Sequence, residues 1–444
     1  MTLPGEGKKL TVCLYLSGIR PGESLALIDS MLTMPGASTV WDLLVAVDAP
    51  SYEVRHIIQR EYQSANKCVF FESGVVLGKA ACSRVMMANV RSEYALLLDD
   101  ATKPSPGWFS AVLDFIRDHP DKGLVGFKHT GGQAPGGHDS SPSIKAGPVL
   151  VKTSWYRAHE HVVSDDLAVA QAEVGFFDFS MAATLGVFPD ALNPFEVSRF
   201  LSHDKTDLDQ SAVDSSGPLF TICVCSYGNH PELILRCLDS ILLDPLDRSE
   251  VEIILGCNQV APEVMHEIDR RYNDGFITSI IRSHTNFNKA GMQRFMFRMA
   301  RAPYVLSLDD DMRFKRGWSA LMRSFILESR PFDVAGRLHS LSNRTLWSGQ
   351  KKPYDSYCQK KRWWRGKQPY GLEVVFPAGQ CFLARTRFVL DNDYPDLDMR
   401  IDWDDVLLGD MVTQLDGKQI WFSEAVKESI VVDNTPSRGQ HGSG

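Results

Sequence analysis

Short apolar runs alternate with helix-like patterns along most of this chain. Four runs predict buried strands, because they are too short for helices and rich in β-branched or other apolar residues; they cover residues 11–17, 41–48, 220–226 and 251–258. Helices are predicted between strands, at Tyr52–Ser64, at Pro262–Asn273, and from Lys79 and Lys289 onward. Strands that alternate with helices indicate an α/β fold with a mostly parallel sheet covered on both faces.

The same pattern occurs twice, at a fixed offset in the numbering. Tyr94–Trp108 (YALLLDDATKPSPGW) aligns without a gap with Tyr304–Trp318 (YVLSLDDDMRFKRGW), which gives an offset of 304 − 94 = 210. This offset also relates identical residues elsewhere: Thr11 and Thr221, Cys13 and Cys223, Gly18 and Gly228, Pro21 and Pro231, Lys79 and Lys289, Arg84 and Arg294, Met86 and Met296. A polar stretch, residues 202–218, separates the copies and is predicted to be a linker. We therefore predict tandem α/β domains at 1–201 and 219–444.

Only the second copy has a full set of acidic residues. Ala101 occupies the position of Asp311, and Ser180 and Met181 occupy the positions of Asp404 and Asp405. These differences predict that the second copy is catalytic and that residues 1–201 are a degenerate, non-catalytic duplicate. The first copy keeps acids and a lysine at other matched positions, so weak nucleotide binding there stays open; these are Asp48, Lys79, Asp99 and Asp100.

Charge and cysteine usage narrow the class of protein. The net charge of −8 argues against a generally basic nucleic-acid binder but leaves local basic patches open. The nine cysteines form no CxxC pair, and several lie in apolar strand-like runs. Neither a signal-like segment nor an apolar run of membrane-spanning length is evident. We expect a reduced, cytoplasmic protein without a transmembrane segment.

A first acidic cluster follows a predicted buried strand. In Leu308–Met312 (LDDDM), Asp309 and Asp311 lie close together and repel each other unless a positive charge separates them. Mg²⁺ or Mn²⁺ meets that need and commonly takes further ligands from a phosphate. The alternative is an acidic loop or a helix cap. In parallel sheets ligands bind beyond the carboxyl ends of the strands, which favours the metal interpretation.

A second acidic cluster opens a predicted helix. In Ile401–Asp410 (IDWDDVLLGD), Asp404 or Asp405 could serve only as an N-cap, where the helix dipole favours a carboxylate. Capping accounts for one acid, whereas the cluster has three within four positions. Such acids suit a general base that removes a proton from an acceptor hydroxyl.

Together these residues resemble the family-2-like glycosyltransferases of the GT-A fold, a Rossmann-like fold that binds nucleotide-diphospho-sugars. The resemblance covers nearly all of residues 219–434. It is carried by five motifs in the family's order: SYGN (226–229), NFNKAG (286–291), DDD (309–311), PAGQ (377–380) and WDD (403–405). It implies that both tandem copies have the GT-A fold.

The resemblance also implies roles for individual residues. Donor-binding residues would be Ser226, Tyr227, Asn258, Lys289, Asp309 and Asp310; metal ligands would be Asp309, Asp311 and His441; catalytic residues would be Asp405 as base with Asp404 beside it. The family usually has an aspartate where this chain has Asn258, so the base of the nucleotide is left open. A Mn²⁺ or Mg²⁺ cofactor and a nucleotide-sugar donor, such as a UDP-sugar, are implied.

A basic and aromatic segment lies between the two acidic clusters. Lys351–Lys367 contains seven lysines and arginines, four aromatic residues and one acid. Aromatic rings beside cations suit stacking on bases or on sugar faces. The alternative is a solvated loop anchored by its tryptophans. The predicted acceptor-binding residues are Trp347, Lys360, Lys361, Arg362, Trp363, Trp364, Arg365, Asp402 and Trp403.

The sequence therefore predicts a metal-dependent, inverting glycosyltransferase that moves a sugar from a nucleotide-sugar to an acceptor hydroxyl. A glycan or glycoconjugate is the first expectation for the acceptor. A hydroxylated base of DNA or another nucleic acid is the alternative that the basic segment suggests. A non-enzymatic module that binds nucleotide-sugars or glycans is the alternative from another class, and the intact acids of the second copy argue against it.

Overall fold

The computed structural model describes residues 9–16, 27–29, 31–32, 41–48, 68–73, 78–99, 108–120, 124–126, 128–129, 149–154, 187–188, 217–228, 230–247, 249–271, 276–283, 286–341, 358–359, 361, 363–366, 374–395 and 404–432. The chain divides into two compact units, Met1–Val213 with 283–286, and Asp214–Arg282 with Phe287–Gly444. Both units have a mixed α/β fold built on mostly parallel strands.

The first unit contains eight described strands and two described helices. The strands are β1 (Leu10–Leu16), β2 (Trp41–Asp48), β3 (Cys68–Ser73), β4 (Tyr94–Asp99), β5 (Leu124–Gly126), β6 (Lys128–His129), β7 (Val149–Lys152) and β8 (Val187–Phe188), and the helices are α1 (Gly78–Asn89) and α2 (Trp108–Asp118). The strand order is β3-β2-β1-β4-β7-β5, with β6 and β8 paired separately. β1 is parallel to β2 and β4, whereas β7 is antiparallel to β4 and β5.

The second unit contains nine described strands and seven described helices. The strands are β9 (Phe220–Tyr227), β10 (Val251–Asn258), β11 (Ser279–Ser283), β12 (Tyr304–Asp309), β13 (Met312–Phe314), β14 (Val334–Leu341), β15 (Val374–Arg385), β16 (Gln419–Trp421) and β17 (Ile430–Val432). The helices are α3 (Pro231–Ile241), α4 (Pro262–Arg271), α5 (Asn288–Met299), α6 (Trp318–Ser329), α7 (Thr386–Asp391), α8 (Asp404–Gln414) and α9 (Glu424–Ser429). The strand order is β16-β14-β15-β12-β9-β10-β11, and β13 pairs with β17.

The central strands of the second unit are buried because helices cover the sheet. All of β10 and all of β9 except Tyr227 are buried, which explains their nearly continuous apolar sequences. α3 begins with Pro231, which the first turn of a helix tolerates, and it buries Ile234 and Leu238 on the core side. Parallel pairing of β9 with β10 and β12 brings the carboxyl ends of these strands to one edge of the sheet. The predicted donor-binding residues lie at that edge.

No helix within the described ranges is both long and apolar enough to cross a membrane. The longest of them have 12 residues, well below the roughly 20 that a membrane span requires.

Candidate active site

Asp309 is the last residue of β12 and forms an ion pair with Lys289 near the start of α5. Lys289 Nζ lies 2.8 Å from Asp309 Oδ1. Burial raises the pKa of Asp309 to about 6, although the neighbouring Lys289 charge opposes the rise. The structure therefore joins the DDD motif to the NFNKAG motif.

Asp310 holds the end of β9 against the end of β12. Its Oδ2 accepts hydrogen bonds from Ser226 Oγ at 3.0 Å and from the Tyr227 backbone N at 3.3 Å. Ser226 and Asp310 are both buried, whereas the Tyr227 side chain is 47% exposed. Of these three predicted donor-binding residues, only Tyr227 offers a large exposed surface. Ser226 and Asp310 contribute by fixing the strand ends.

Asn258 fixes the start of the helix that carries Lys289. Its Oδ1 accepts a hydrogen bond of 2.8 Å from the backbone N of Phe287, the residue that precedes α5. Asn258 is buried at the last position of β10. Its carbonyl oxygen therefore supports the geometry of the site from the interior.

The second acidic cluster lies at the beginning of α8, in the first turn, where the helix dipole favours carboxylates. Asp405 Oδ2 accepts a hydrogen bond of 3.2 Å from Gly379 N, and its Oδ1 accepts one of 2.8 Å from Val406 N. Burial and the adjacent Asp404 charge raise the pKa of Asp405. Asp404 Oδ2 is buried and has no hydrogen-bond partner within the described ranges.

Lys289 lies between the two acidic clusters. Besides its ion pair with Asp309, Lys289 Nζ donates a hydrogen bond of 2.6 Å to the carbonyl oxygen of Gly379. Burial alone would lower the pKa of Lys289, but the charges of Asp309 and Asp404 raise it above its usual value. The lysine is therefore fully protonated at neutral pH. Through Lys289 and Gly379, the carboxylates of the DDD and WDD motifs belong to one electrostatic site.

The acids at the end of β12 fit a hard divalent cation. Asp310 Oδ2 accepts hydrogen bonds from Ser226 and Tyr227, and Asp309 and Asp311 are the two carboxylates that the resemblance assigns to an ion. Mg²⁺ typically binds one or two carboxylates and completes its octahedron with phosphate oxygens and water. Among the described residues, no three His, Cys, Asp or Glu side chains are arranged to hold a metal on their own. Asp309 and Asp311 would therefore need further ligands, from a diphosphate or from water, to hold such an ion.

Part of the basic and aromatic segment packs beside α8. The Arg365 backbone N donates a hydrogen bond of 3.2 Å to Gln414 Oε1, at the end of that helix. Trp363 is buried, which favours the anchor interpretation for this residue, whereas Trp364 is half-buried and Arg365 is exposed. Lys361 is also partly exposed. Of the predicted acceptor-binding residues that the structure describes, Lys361, Trp364 and Arg365 are thus at least partly exposed.

Several residues predicted from the sequence lie outside the described ranges. They are the metal candidate His441 and the acceptor-binding candidates Trp347, Lys360, Arg362, Asp402 and Trp403, and the helix predicted at Tyr52–Ser64 is outside as well.

The structure adds residues that the sequence does not single out. Tyr394 is buried, and its hydroxyl donates a hydrogen bond of 3.1 Å to the Asp404 carbonyl oxygen. Arg294 binds the backbone on both sides of Tyr394: its Nη1 donates hydrogen bonds to the carbonyl oxygens of Asp393 at 3.1 Å and Pro395 at 3.0 Å, and its guanidinium pairs with the Asp393 carboxylate. The sequence signal for Arg294 is that an arginine, Arg84, also stands 210 positions earlier.

Residues 221–391 match the sequence model of the family described as Glycosyl transferase family 2. The chain thus contains a Glycosyl transferase family 2 domain, which includes Lys289, Asp309 and Gly379. The match covers less than half of the 444 residues. No curated protein sequence matches this chain.

Solved structures of two proteins, PcManGT and TarS, have partial likeness to this chain. PcManGT, a mannosyltransferase from Pyrobaculum calidifontis in complex with GDP-Man and Mn²⁺, is 15% identical with a TM-score of 0.34; the match covers 47% of this chain and 56% of that one. TarS from S. aureus is 17% identical with a TM-score of 0.33, and the match covers 46% of this chain and 35% of that one. Its 1–349 form in complex with UDP-GlcNAc is 17% identical with a TM-score of 0.32, and the match covers 46% and 56%.

Proposed function

We propose that the second unit is a GT-A glycosyltransferase that moves a sugar from a nucleotide-sugar donor to an acceptor hydroxyl. One observation carries this proposal: the acids of the DDD and WDD motifs lie around Lys289 in one site. Lys289 contacts Asp309 directly, and it reaches Asp405 through Gly379. A donor diphosphate requires positive charge and an acceptor hydroxyl requires a base, and this site offers both within the family-2 domain.

In this mechanism Asp405 removes the proton of the acceptor hydroxyl as its oxygen attacks the anomeric carbon. The new bond between carbon and acceptor oxygen forms on the face opposite the breaking bond to the diphosphate, so the configuration inverts. Asp404 adds negative charge beside the base, which disfavours a second carboxylate charge and raises the pKa of Asp405. Mn²⁺ or Mg²⁺, held by Asp309 and Asp311, would act as a Lewis acid toward the leaving diphosphate.

We also propose that the two units are tandem copies and that the first is non-catalytic. The order β3-β2-β1-β4-β7-β5 in the first unit has the same arrangement as β11-β10-β9-β12-β15-β14 in the second. The strand registers support this: Leu10 pairs with Trp41 and Tyr94, and the residues 210 positions later, Phe220, Val251 and Tyr304, pair in the same way. Ala101, Ser180 and Met181 lack the carboxylates that the mechanism needs.

A panel of nucleotide-sugars tests the enzyme class and the donor together. We expect the wild-type protein to hydrolyse one donor slowly without an acceptor in the presence of Mn²⁺ or Mg²⁺, and we expect chelation with EDTA to stop the reaction. The measurement is release of the nucleoside diphosphate. If a nucleotide-sugar binds but is never hydrolysed or transferred, a non-enzymatic binding module is supported and the glycosyltransferase proposal fails.

The salt dependence of acceptor binding distinguishes a glycan from a nucleic acid. A nucleic-acid acceptor predicts that affinity falls steeply with salt, and that Lys361→Ala with Arg365→Ala reduces the slope by about 0.7 per lost phosphate contact on a single strand. Trp364→Ala is expected to weaken binding by about 1–3 kcal/mol and to leave the slope nearly unchanged.

A glycan acceptor, which the proposal places first, predicts weak salt dependence in the same assay. The ligands are hydroxymethylated and unmodified oligonucleotides beside a neutral oligosaccharide. Trp363→Ala is a useful comparison, because its ring is buried and its loss acts through folding. Absence of oligonucleotide binding at low salt would eliminate the nucleic-acid alternative.

A further inference from the structure

The strand that carries the PAGQ motif leaves the regular ladder at the candidate site. β14 pairs Gly336 with Phe382 and Leu338 with Pro377, so a single residue of β14 lies opposite four residues of β15. Those four residues are 378–381. A bulge of this kind frees backbone N–H and C=O groups from strand pairing and redirects the chain. The freed groups of Gly379 are therefore available to side chains.

Gly379 uses these groups on two sides of the site. Its carbonyl oxygen accepts a hydrogen bond of 2.6 Å from Lys289 Nζ, and its N–H donates one of 3.2 Å to Asp405 Oδ2. Lys289 in turn pairs with Asp309 at 2.8 Å. One residue thus joins the carboxylate at the end of β12 to the carboxylate at the beginning of α8. The bond to the ammonium is charge-assisted at the donor, and the bond to the carboxylate is charge-assisted at the acceptor.

β15 approaches Asp405 closely at Gly379. A Cβ atom on residue 379 would lie 3.1 Å from Asp405 Oδ2 and 3.3 Å from Asp405 Cβ and Cγ. The crowding therefore involves the whole carboxylate arm. α8 packs closely on β15, where Gly409 lies against the backbone of Val375 and Phe376. A methyl group at residue 379 would therefore press on the Asp405 side chain and shift it by a few tenths of an ångström.

We infer that Gly379 is a positioning residue that sets the location of the Asp405 carboxylate relative to Lys289 and Asp309. The inference rests on the proposed function, in which Asp405 is the base. It assigns the Gly of PAGQ two roles: its missing side chain admits the carboxylate, and its N–H orients it. The hydrogen bond from Lys289 holds the carbonyl group of Gly379. The Asp405 carboxylate therefore keeps a fixed position relative to Lys289 and Asp309, which bind the donor in the proposed mechanism.

Gly379→Ala tests the inference. A misplacement of about 1 Å can cost roughly 100-fold in rate, so a shift of a few tenths of an ångström is expected to lower kcat by roughly 2- to 10-fold. The donor KM should change little, because Lys289 and Asp309 remain. The hydrogen bond from the Gly379 N–H lowers the pKa of Asp405. A displaced carboxylate weakens this bond, which raises that pKa, so the acidic limb of the kcat profile moves to higher pH. The measurement is kcat and KM from pH 4 to 9 with the donor that the wild type uses.

Gly417→Ala is the matched control. A Cβ there also lies 3.1 Å from a carboxylate oxygen, that of Asp333, which pairs with Arg385 away from the acidic clusters. The two variants therefore carry the same added methyl group and similar crowding. We expect Gly417→Ala to change stability without shifting the pH profile. Equal kcat loss and equal pH profiles in both variants would overturn the inference.

Replacement of Gly379 by glycolic acid during cell-free translation separates the N–H from the steric effect. The ester removes the donor to Asp405 and keeps both the carbonyl group for Lys289 and the space. We expect the acidic limb to shift upward in this protein too; an unchanged limb would refute the role of the N–H.

An NMR titration of Asp405 does not depend on enzyme activity. It therefore tests the positioning role of Gly379 separately from the proposed glycosyltransferase function. The carboxyl ¹³C signal of Asp405, assigned by its absence from Asp405→Asn, reports its pKa directly. A pKa unchanged in Gly379→Ala refutes the positioning role even if no donor is turned over. A raised pKa beside an inactive wild type would leave the geometry supported and the glycosyltransferase proposal rejected.

Discussion

Asp405→Asn is expected to reduce sugar transfer by roughly 10²- to 10⁴-fold, the contribution typical of a positioned general base. The asparagine keeps the size of the side chain and an oxygen for the Gly379 N–H, but it cannot accept the proton of the acceptor hydroxyl. Donor binding should be unchanged, because Lys289 and Asp309 lie on the other side of Gly379. The measurement is kcat from single-turnover transfer, with the donor Kd measured separately.

We expect the Asp405→Asn protein to remain folded, because of the direction in which folding shifts the pKa of Asp405. Burial and Asp404 raise the pKa of Asp405 in the folded state, so the folded protein binds its proton more tightly than the unfolded chain does. The carboxylate therefore becomes a growing cost to stability as the pH rises above the unfolded pKa. Removing the charge should leave Tm at pH 7 equal or higher. The control is Asp239→Asn, the same change at an exposed acid of the second unit.

Two outcomes would contradict the assignment of the base. If Asp405→Asn transfers normally and Asp404→Asn does not, Asp404 is the base, and its buried Oδ2 without a hydrogen-bond partner in the described ranges would be the reacting oxygen. If neither substitution matters in a folded protein, the glycosyltransferase proposal fails.

The sequence predicts the strands well because the buried sheet requires continuous apolar runs. The predicted strands 41–48 and 251–258 agree with β2 and β10 at both ends. The helices predicted from Lys79 and Lys289 begin one residue earlier in the structure, at Gly78 and Asn288. Helix ends depend on the last hydrogen bonds and are less sharply encoded than apolar periodicity.

The sequence is less informative about which site residues face the ligand. Ser226 of SYGN and Asp310 of DDD are polar, yet they are buried against each other while Tyr227 is exposed. Trp363 and Trp364 are adjacent and chemically identical, yet only Trp363 is fully buried. In both cases tertiary packing decides which residue is buried and which is exposed. Buried and exposed positions follow no fixed period along a turn or loop, so the sequence pattern does not predict them.

Gly379 and Tyr394 are two further residues whose role in the site is not evident from the sequence. Each supports the acidic helix through backbone groups, Gly379 with its N–H and Tyr394 through the Asp404 carbonyl oxygen. A hydrogen bond to a backbone group does not depend on the type of residue that provides the group, so the sequence gives no sign of it. Glycine at 379 is a signal only once the Asp405 carboxylate is known to lie against β15.

Asp311→Asn is expected to weaken metal-dependent donor binding and so to have the second large effect. In the proposed mechanism Asp309 and Asp311 are the pair that would hold Mn²⁺ or Mg²⁺, while Asp310 accepts hydrogen bonds from Ser226 and Tyr227. Removing one of two charged ligands should lower the metal affinity by at least roughly 10- to 100-fold. That is the loss seen when a residue that merely supports a metal ligand is changed. Lys289 still pairs with Asp309, so a metal-independent part of donor binding should remain.

The measurement is donor Kd by calorimetry with Mn²⁺, with Mg²⁺ and with EDTA, for the wild type, Asp311→Asn and the control Asp239→Asn. In the wild type and the control, EDTA should weaken binding strongly. In Asp311→Asn, binding should already be weak and should respond little to EDTA, because the ion no longer adds to the attraction of the diphosphate. The loss should contrast with Asp405→Asn, which spares Kd and lowers kcat. If wild-type donor binding and turnover are both insensitive to EDTA, the metal proposal is wrong, and Lys289 would be the positive charge that faces the diphosphate.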